Sequence, residues 1–225
     1  MEGSKILKIG QFLISLISIM GMGGIDLLLS RDLSCKLKEG LDKEILSRVE
    51  RDLFFQHGMS IKLSIEHFEK FHSILKQHSE FDPKEIEEQC LKKIIEITRV
   101  ENNFLIKVIS KLLAELIFNY FGDEESRKIL ISIMNDPLTV PEILNVSGVL
   151  KSPAYRKIEN LLLDGMILES GKVLTNNKRV SQYRCVFDKV TFVLDKGQFS
   201  VQVIVNSKYF KQSSLFKSGL MEPNY

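Results

Sequence analysis

The sequence predicts an α+β fold that is mainly α: a helical N-terminal region, then three short helices followed by β-hairpins. Three observations carry that expectation. Apolar residues recur at helical spacing over most of the first two thirds of the chain. Near residue 165 the composition changes to short runs rich in Val, Ile, Phe and Tyr, separated by turn residues. Charge is also uneven. Lys plus Arg against Asp plus Glu is 19 against 22 over residues 1–136 and 12 against 7 over residues 137–225. A basic C-terminal part of this kind is expected to meet a polyanion.

The N-terminal elements follow in order. Ile9 to Ile25 carries no charge, yet Gln11, Ser15, Ser18 and several glycines dilute it. Its readings are a buried or dimer-forming helix, a membrane anchor, a signal peptide behind Lys5 and Lys8, or a start at Met20 or Met22. LDKEILSRVERDLFFQ places Leu41, Ile45, Val49 and Leu53 on one helical face, and HGM at 57–59 breaks it. SIKLSIEHFEKFHSIL repeats the pattern through Ile61, Ile65, Phe68, Phe71 and Leu75. FDPKEIEEQCLKKIIEITR opens with Asp82 as N-cap, Pro83 at the first helical position and Glu85 for a capping box. NNFLIKVISKLLAELIFNYFGD reads as one long apolar helix with Gly122 at its C-cap.

The C-terminal elements are shorter. ESRKILISIM is a helix that Asp136-Pro137 ends, because a residue before proline avoids the α region. Thr139 caps the next, with Pro141 and Glu142 in a T-x-x-E box, and Gly148 supplies the turn. Ser152 caps a third helix, Pro153 opens it, and Asp164-Gly165 closes it. MILESGKVL, RVSQYRCVFDKVTFVL and FSVQVIVN are strand-like, with turns at SGK, TNNK and DKG. The tail KYFKQSSLFKSGLMEPNY has no period and is expected to be short helix or disorder.

On a helical wheel, Ala154, Ile158, Leu161 and Leu162 of the third helix share one face, and Arg156 and Asn160 oppose it. Lys157 flanks the exposed face and Tyr155 lies on its border, while Lys151 and Ser152 sit at the dipole-positive N-terminus. An apolar back with a basic, hydrogen-bonding front suits a helix that enters a major groove. Lys178 and Arg179, expected at a hairpin tip with Asn176 and Asn177, suit phosphate or minor-groove contact. Three helices and such a "wing" make a winged helix-turn-helix unit, and the hairpin Asp188–Asn206 extends it as a sheet extension or a dimerisation element. The expected organisation is 1–121 helical sensor or interaction domain, 122–206 winged helix-turn-helix, and 207–225 tail.

The run LTVPEIL…SPAYRKIENLLLDGMI…GKVLT…KRVSQYRCVF, within residues 123–205, resembles the winged-helix domain of archaeal transcription regulators of the ArsR/MarR type. RVERDLFFQHGMSIKLSIEHFEKF resembles an output-type helical domain attached to such regulators in ammonia-oxidising archaea. The resemblance implies binding to double-stranded DNA as a homodimer, with residues 152–164 as recognition helix. It supplies no effector for the N-terminal half, which is left to an unknown small molecule or protein. The DNA-contact candidates are thus Arg156 and Asn160 for bases, Lys151, Ser152, Lys157, Lys178 and Arg179 for phosphates, and Tyr155 as core edge or phosphate donor. The alternatives are a winged-helix protein-interaction module and a membrane-tethered regulator using residues 9–25.

Other chemistry finds little support. G-x-S-x-G, P-loop and G-x-G-x-x-G motifs are absent, Glu87-Glu88 and Glu124-Glu125 read as solvated helix positions, and no enzyme activity is expected. His67 and His72 would lie about 140° apart on a helix, so shared metal ligation is not expected, and no cofactor is. Cys35, Cys90 and Cys185 are odd in number and lack a CxxC, which favours small core residues in a reducing cytoplasm.

Overall fold

The computed structural model describes residues 24–64, 68–175, 177–213 and 216. The chain is α+β, with two antiparallel sheets among the described residues. Helix α1 (Gly24–Gly40) is buried around most of its circumference through Ile25, Leu28, Leu29, Leu33 and Leu37. Two of its acids are buried with it, and Asp32 accepts a hydrogen bond from the Ser110 hydroxyl. Next come α2 (Lys43–His57), α3 (Ile61–Ser64), α4 (Phe68–His78) and α5 (Pro83–Lys92); α3 and α5 pack against α1, and α2 packs against α4.

Most of the expected stripes and caps of this region are found in the described residues. Val49 and Leu53 are buried on α2, and Gly58 ends it in the left-handed region at φ 64°. Ile61, Phe71 and Leu75 are also buried, whereas Ile65 and His67 lie outside the described residues. Asp82 caps α5 by accepting from the Lys84 amide, with Pro83 next to it, while among the described residues Glu85 makes no capping-box bond.

Residues 95–108 depart from expectation. In place of continuing helix they form β1 (Ile95–Val100) and β2 (Asn103–Val108), an antiparallel hairpin with Val100 opposite Asn103 and Glu101 at φ 53°. The alternation Ile95, Ile97 and Phe104, Ile106, Val108 puts one apolar face inward, a period of two that a helical reading of the same apolar residues overlooks. Only then does the apolar helix begin, as α6 (Lys111–Gly122), N-capped by Ser110. Gly122 is its last residue, and Asp123 caps its end and starts the next helix.

The remaining elements are α7 (Glu124–Ser132), β3 (Leu138–Thr139), α8 (Val140–Ser147), α9 (Lys151–Leu163), β4 (Ile167–Thr175), β5 (Lys178–Cys185), β6 (Phe187–Asp195), β7 (Gln198–Asn206) and α10 (Ser207–Phe210). One sheet has the order β3-β5-β4; the other has β1-β2-β7-β6. The second joins distant parts of the sequence, because β2 pairs with β7 from Asn103↔Asn206 to Val108↔Val201. The expected boundary at residue 121 therefore falls between two partner strands of one sheet. The Asp188–Asn206 hairpin extends the sheet begun by β1 and β2.

SGK is no turn; it is an irregularity inside β4, where the register shifts between Glu169 and Gly171. In the tail, Phe210 of α10 is buried against Phe104 with ring centroids 4.2 Å apart. Cys90 and Cys185 are buried, and the three cysteines are unpaired. Of the uncharged segment 9–25, only Gly24 and Ile25 are described, both buried at the start of α1; residues 9–23 lie outside the described residues. Among the described residues no helix is long and apolar enough to cross a membrane.

Candidate nucleic-acid interface

The helices α8 and α9 are held apart by a turn whose parts match their sequence signals. The Glu142 carboxylate accepts from both the Thr139 amide and hydroxyl at 2.7 Å, closing the expected T-x-x-E box. Gly148 turns the chain at φ 66°, a conformation glycine adopts without a Cβ penalty. Helix α9 starts two residues earlier than expected. Leu150 occupies the cap and makes no side-chain cap bond, so Ser152 lies in the first helical turn, exposed, with Lys151 before it.

The wheel of α9 is reproduced. Ala154, Ile158, Leu161 and Leu162 are all buried, and Arg156 and Asn160 are exposed on the opposite side. Tyr155 is half-buried. The helix end is fixed by Gly165 at φ 71°, where a Cβ would overlap the Leu28 amide and the Gly24 carbonyl of α1. The Asp164 carboxylate accepts from the Tyr120 hydroxyl of α6 at 2.5 Å. Burial and that bond push the Tyr120 phenol well above its ordinary range. The outward face of α9 is therefore anchored from behind by α1 and α6.

Lys157 is not free for an external partner. Its Nζ lies 2.5 Å from Asp123 Oδ2 and 3.4 Å from Glu125 Oε2, and its side chain is 18% exposed. The pairing lifts the Lys157 ammonium above its usual range and, with help from the Ser126 amide, holds Asp123 down at about 2. Lys157 acts as a strut from α9 to the start of α7. The wheel could not reveal this, since the partner is 34 positions away in sequence.

The wing is also arranged differently from expectation. Lys178 and Arg179 are not in the turn; they open β5, opposite Thr175 and Leu174, and both are exposed. Asn177 turns at φ 59°, and Asn176 lies outside the described residues. Neighbouring strand residues face opposite sides, so Arg179 shares a face with Leu174 and Lys172, and Lys178 takes the other. Lys172, 52% exposed and 3.6 Å from Glu169, was not singled out by the sequence, although its place two residues before Leu174 gives the signal. Among the described residues, Lys151, Arg156, Lys178 and Arg179 make no ion pair.

Two further residues differ from expectation. Glu87 is fully buried, not solvated; its carboxylate is 2.7 Å from His72 Nε2, and its second oxygen has no hydrogen-bond partner among the described residues. Burial lifts its carboxyl to about 7. The signal was present: Pro83, Glu87, Cys90, Leu91 and Ile94 fall on one helical face. His78 bonds Asp52 Oδ2 at 2.7 Å. No protein-family model, no curated protein and no solved structure matches the chain.

Proposed function

We propose that the chain is a sequence-specific DNA-binding transcriptional regulator, acting in the cytoplasm on double-stranded DNA. One observation carries this reading. Helix α9 presents Ser152, Arg156 and Asn160 on one exposed face and Lys151 at its N-terminal end, none of them in an ion pair among the described residues, and the hairpin that follows offers Arg179 and Lys178. Such a face matches what a major groove requires, with side chains for base edges and cations for phosphates. Lys157 leaves the set of contacts and becomes the strut that holds α9 on α7. The effector is an unknown small molecule or protein met by the helical N-terminal part.

The test is footprinting of the purified protein on genomic DNA, followed by shift assays on the site found. Arg156→Ala is expected to cost about 1–3 kcal/mol and relax specificity at one position. Unchanged affinity would overturn the recognition-helix assignment. Lys178→Ala is expected to weaken binding to all sequences alike.

A second reading has its own support. Val146 is 61% exposed, Leu150 76% and Leu174 71%, at the α8–α9 turn and in the wing. Apolar side chains there suit a protein partner in a transcription or assembly complex. Salt separates the two: phosphate contacts give a steep loss of affinity with salt, and an apolar protein interface does not. The membrane-tethered variant rests on residues 9–25 alone, and cell fractionation tests it.

A further inference from the structure

The sheet β1-β2-β7-β6 ends in β6, and among the described residues no strand pairs with its outer edge. The sheet's inward face is apolar across β2, β7 and β6. Val201, Val203 and Val205 are buried at its centre, and the cross-strand pairs Val190↔Val203, Phe192↔Val201 and Leu194↔Phe199 carry that face out to the tip. There it runs into solvent. Leu194 is 77% exposed, and Phe199, Phe192 and Phe118 of α6 are exposed around it. Their rings cluster, with centroids 5.5 Å apart for Phe118–Phe192 and 5.2 Å for Phe118–Phe199.

We propose that this edge is where a second copy of the chain docks, β6 against β6 and antiparallel, with Phe192 on the two-fold axis. Three observations select this occupant. The first is hydrogen bonding. Asp195 and Gln198 close a two-residue turn, with Lys196 at φ 47° and Gly197 at φ 80°. Such a turn closes on a pair that exchanges both backbone bonds. Along β6, alternate residues from Asp195 therefore bond to β7, and Leu194, Phe192 and Val190 aim their N–H and C=O at the open edge. A two-fold centred on Phe192 sets Phe192 opposite Phe192 and Val190 opposite Leu194, so the outward groups meet in pairs.

The second is charge. In that register Lys189 lies opposite Asp195 of the second copy, and Asp195 opposite its Lys189. Neither side chain has an ion-pair partner among the described residues, and both are exposed. The charges at the two ends of the strand thus complement each other only when the strand meets itself reversed. The third is the apolar face, which becomes continuous across the axis and covers Leu194 and the aromatic cluster. Edge strands commonly avoid pairing through a lysine or a bulge. Here Lys189 and the irregularity between Phe187 and Lys189 lie at one end, leaving Val190 to Leu194 open. An isologous contact of this kind closes as a dimer and does not propagate.

Sedimentation equilibrium on the full chain tests the proposal. The wild type is expected to be a dimer at micromolar concentration. Lys189→Glu and Asp195→Lys should each weaken dimerisation about tenfold, since two pairs change from attraction to repulsion. The double variant K189E/D195K should recover most of the loss, which a merely structural role would not. Leu194→Lys, at a side chain already in solvent, should leave circular dichroism unchanged and the protein monomeric. A wild type that is monomeric at 100 μM, a dimeric Leu194→Lys protein, or no rescue in the double variant each overturns the proposal (100 μM being about 5 kcal/mol of association). None of these residues is a candidate DNA contact, so failure here leaves the regulator reading untouched.

Discussion

Among single residues, Glu87 and Lys157 show how burial and pairing redistribute charge. Glu87 has a folded-state carboxyl raised from 4.5 to about 7 by burial. A raised value means that its contribution to stability is complete below about 4.5 and is lost as pH rises through 7. The loss is on the order of 3 kcal/mol, tempered by the bond to His72. Glu87→Gln should therefore flatten the decline of chemical-denaturation stability between pH 5 and pH 8; an unchanged slope would place the titration elsewhere. Lys157 works in the opposite sense. It holds Asp123 down from 3.8 to about 2, so that stability is present above 3.8 and lost as pH falls toward 2. Because Asp123 is nearly half exposed, the contribution is about 1 kcal/mol or less. Lys157→Ala should remove that acid-side loss and leave the salt dependence of DNA binding unaltered. A reduced salt slope would return Lys157 to the phosphate contacts. The wheel alone sorted Arg156, Asn160 and the buried stripe of α9, because helix geometry is local. It could not sort Lys157, whose role depends on a helix folded beside it.

At the scale of elements, what was legible followed the same division. Caps and turns encoded within four residues, such as Thr139 with Glu142, Asp82 with Pro83, and Gly148, are found where the sequence puts them. The hairpin β1-β2 was lost because Leu91, Ile94 and Ile95, then Phe104, Leu105, Val108 and Leu112, stand at helical spacing, while Ile95 and Ile97 with Phe104, Ile106 and Val108 also alternate. The turn signal at Glu101-Asn102 was the only local arbiter. Gly165 shows a further layer. Its place after α9 was readable, but the reason glycine is required is the backbone of α1, which crosses directly over it. Gly165→Ala combines a left-handed φ of 71° with overlap against immobile backbone. It should destabilise by about 3 kcal/mol or more, lowering Tm by roughly 10 °C. A shift within a degree or two would mean that α1 moves away at little cost.

Over the whole molecule, the pairing of β2 with β7 decides how the chain behaves as a unit. Strand pairing between residues a hundred positions apart leaves no trace in local periodicity, so the division at residue 121 was drawn across it. The consequence is mechanical. Val201, Val203 and Val205 are flanked on the same inner face by Val108, Ile106 and Phe104, and the residues of α1 belong to the same core. Residues that belong to the expected sensor part thus complete the sheet that follows the wing. Ile106→Ala removes a buried side chain between Ile97 and Val203 and should cost about 2–4 kcal/mol. If the sheet couples the two parts, amide exchange should accelerate by the same factor in α1, β2, β7 and the α9–β5 region, within one cooperative transition. A fragment beginning at residue 122 should then give no cooperative unfolding, since β7 would lose its neighbour and present an unpaired apolar edge. Acceleration confined to β1 and β2, with α9 still protected and the fragment folded, would mean instead that the wing and its helices are stable alone. An effector signal would then need a route other than this sheet.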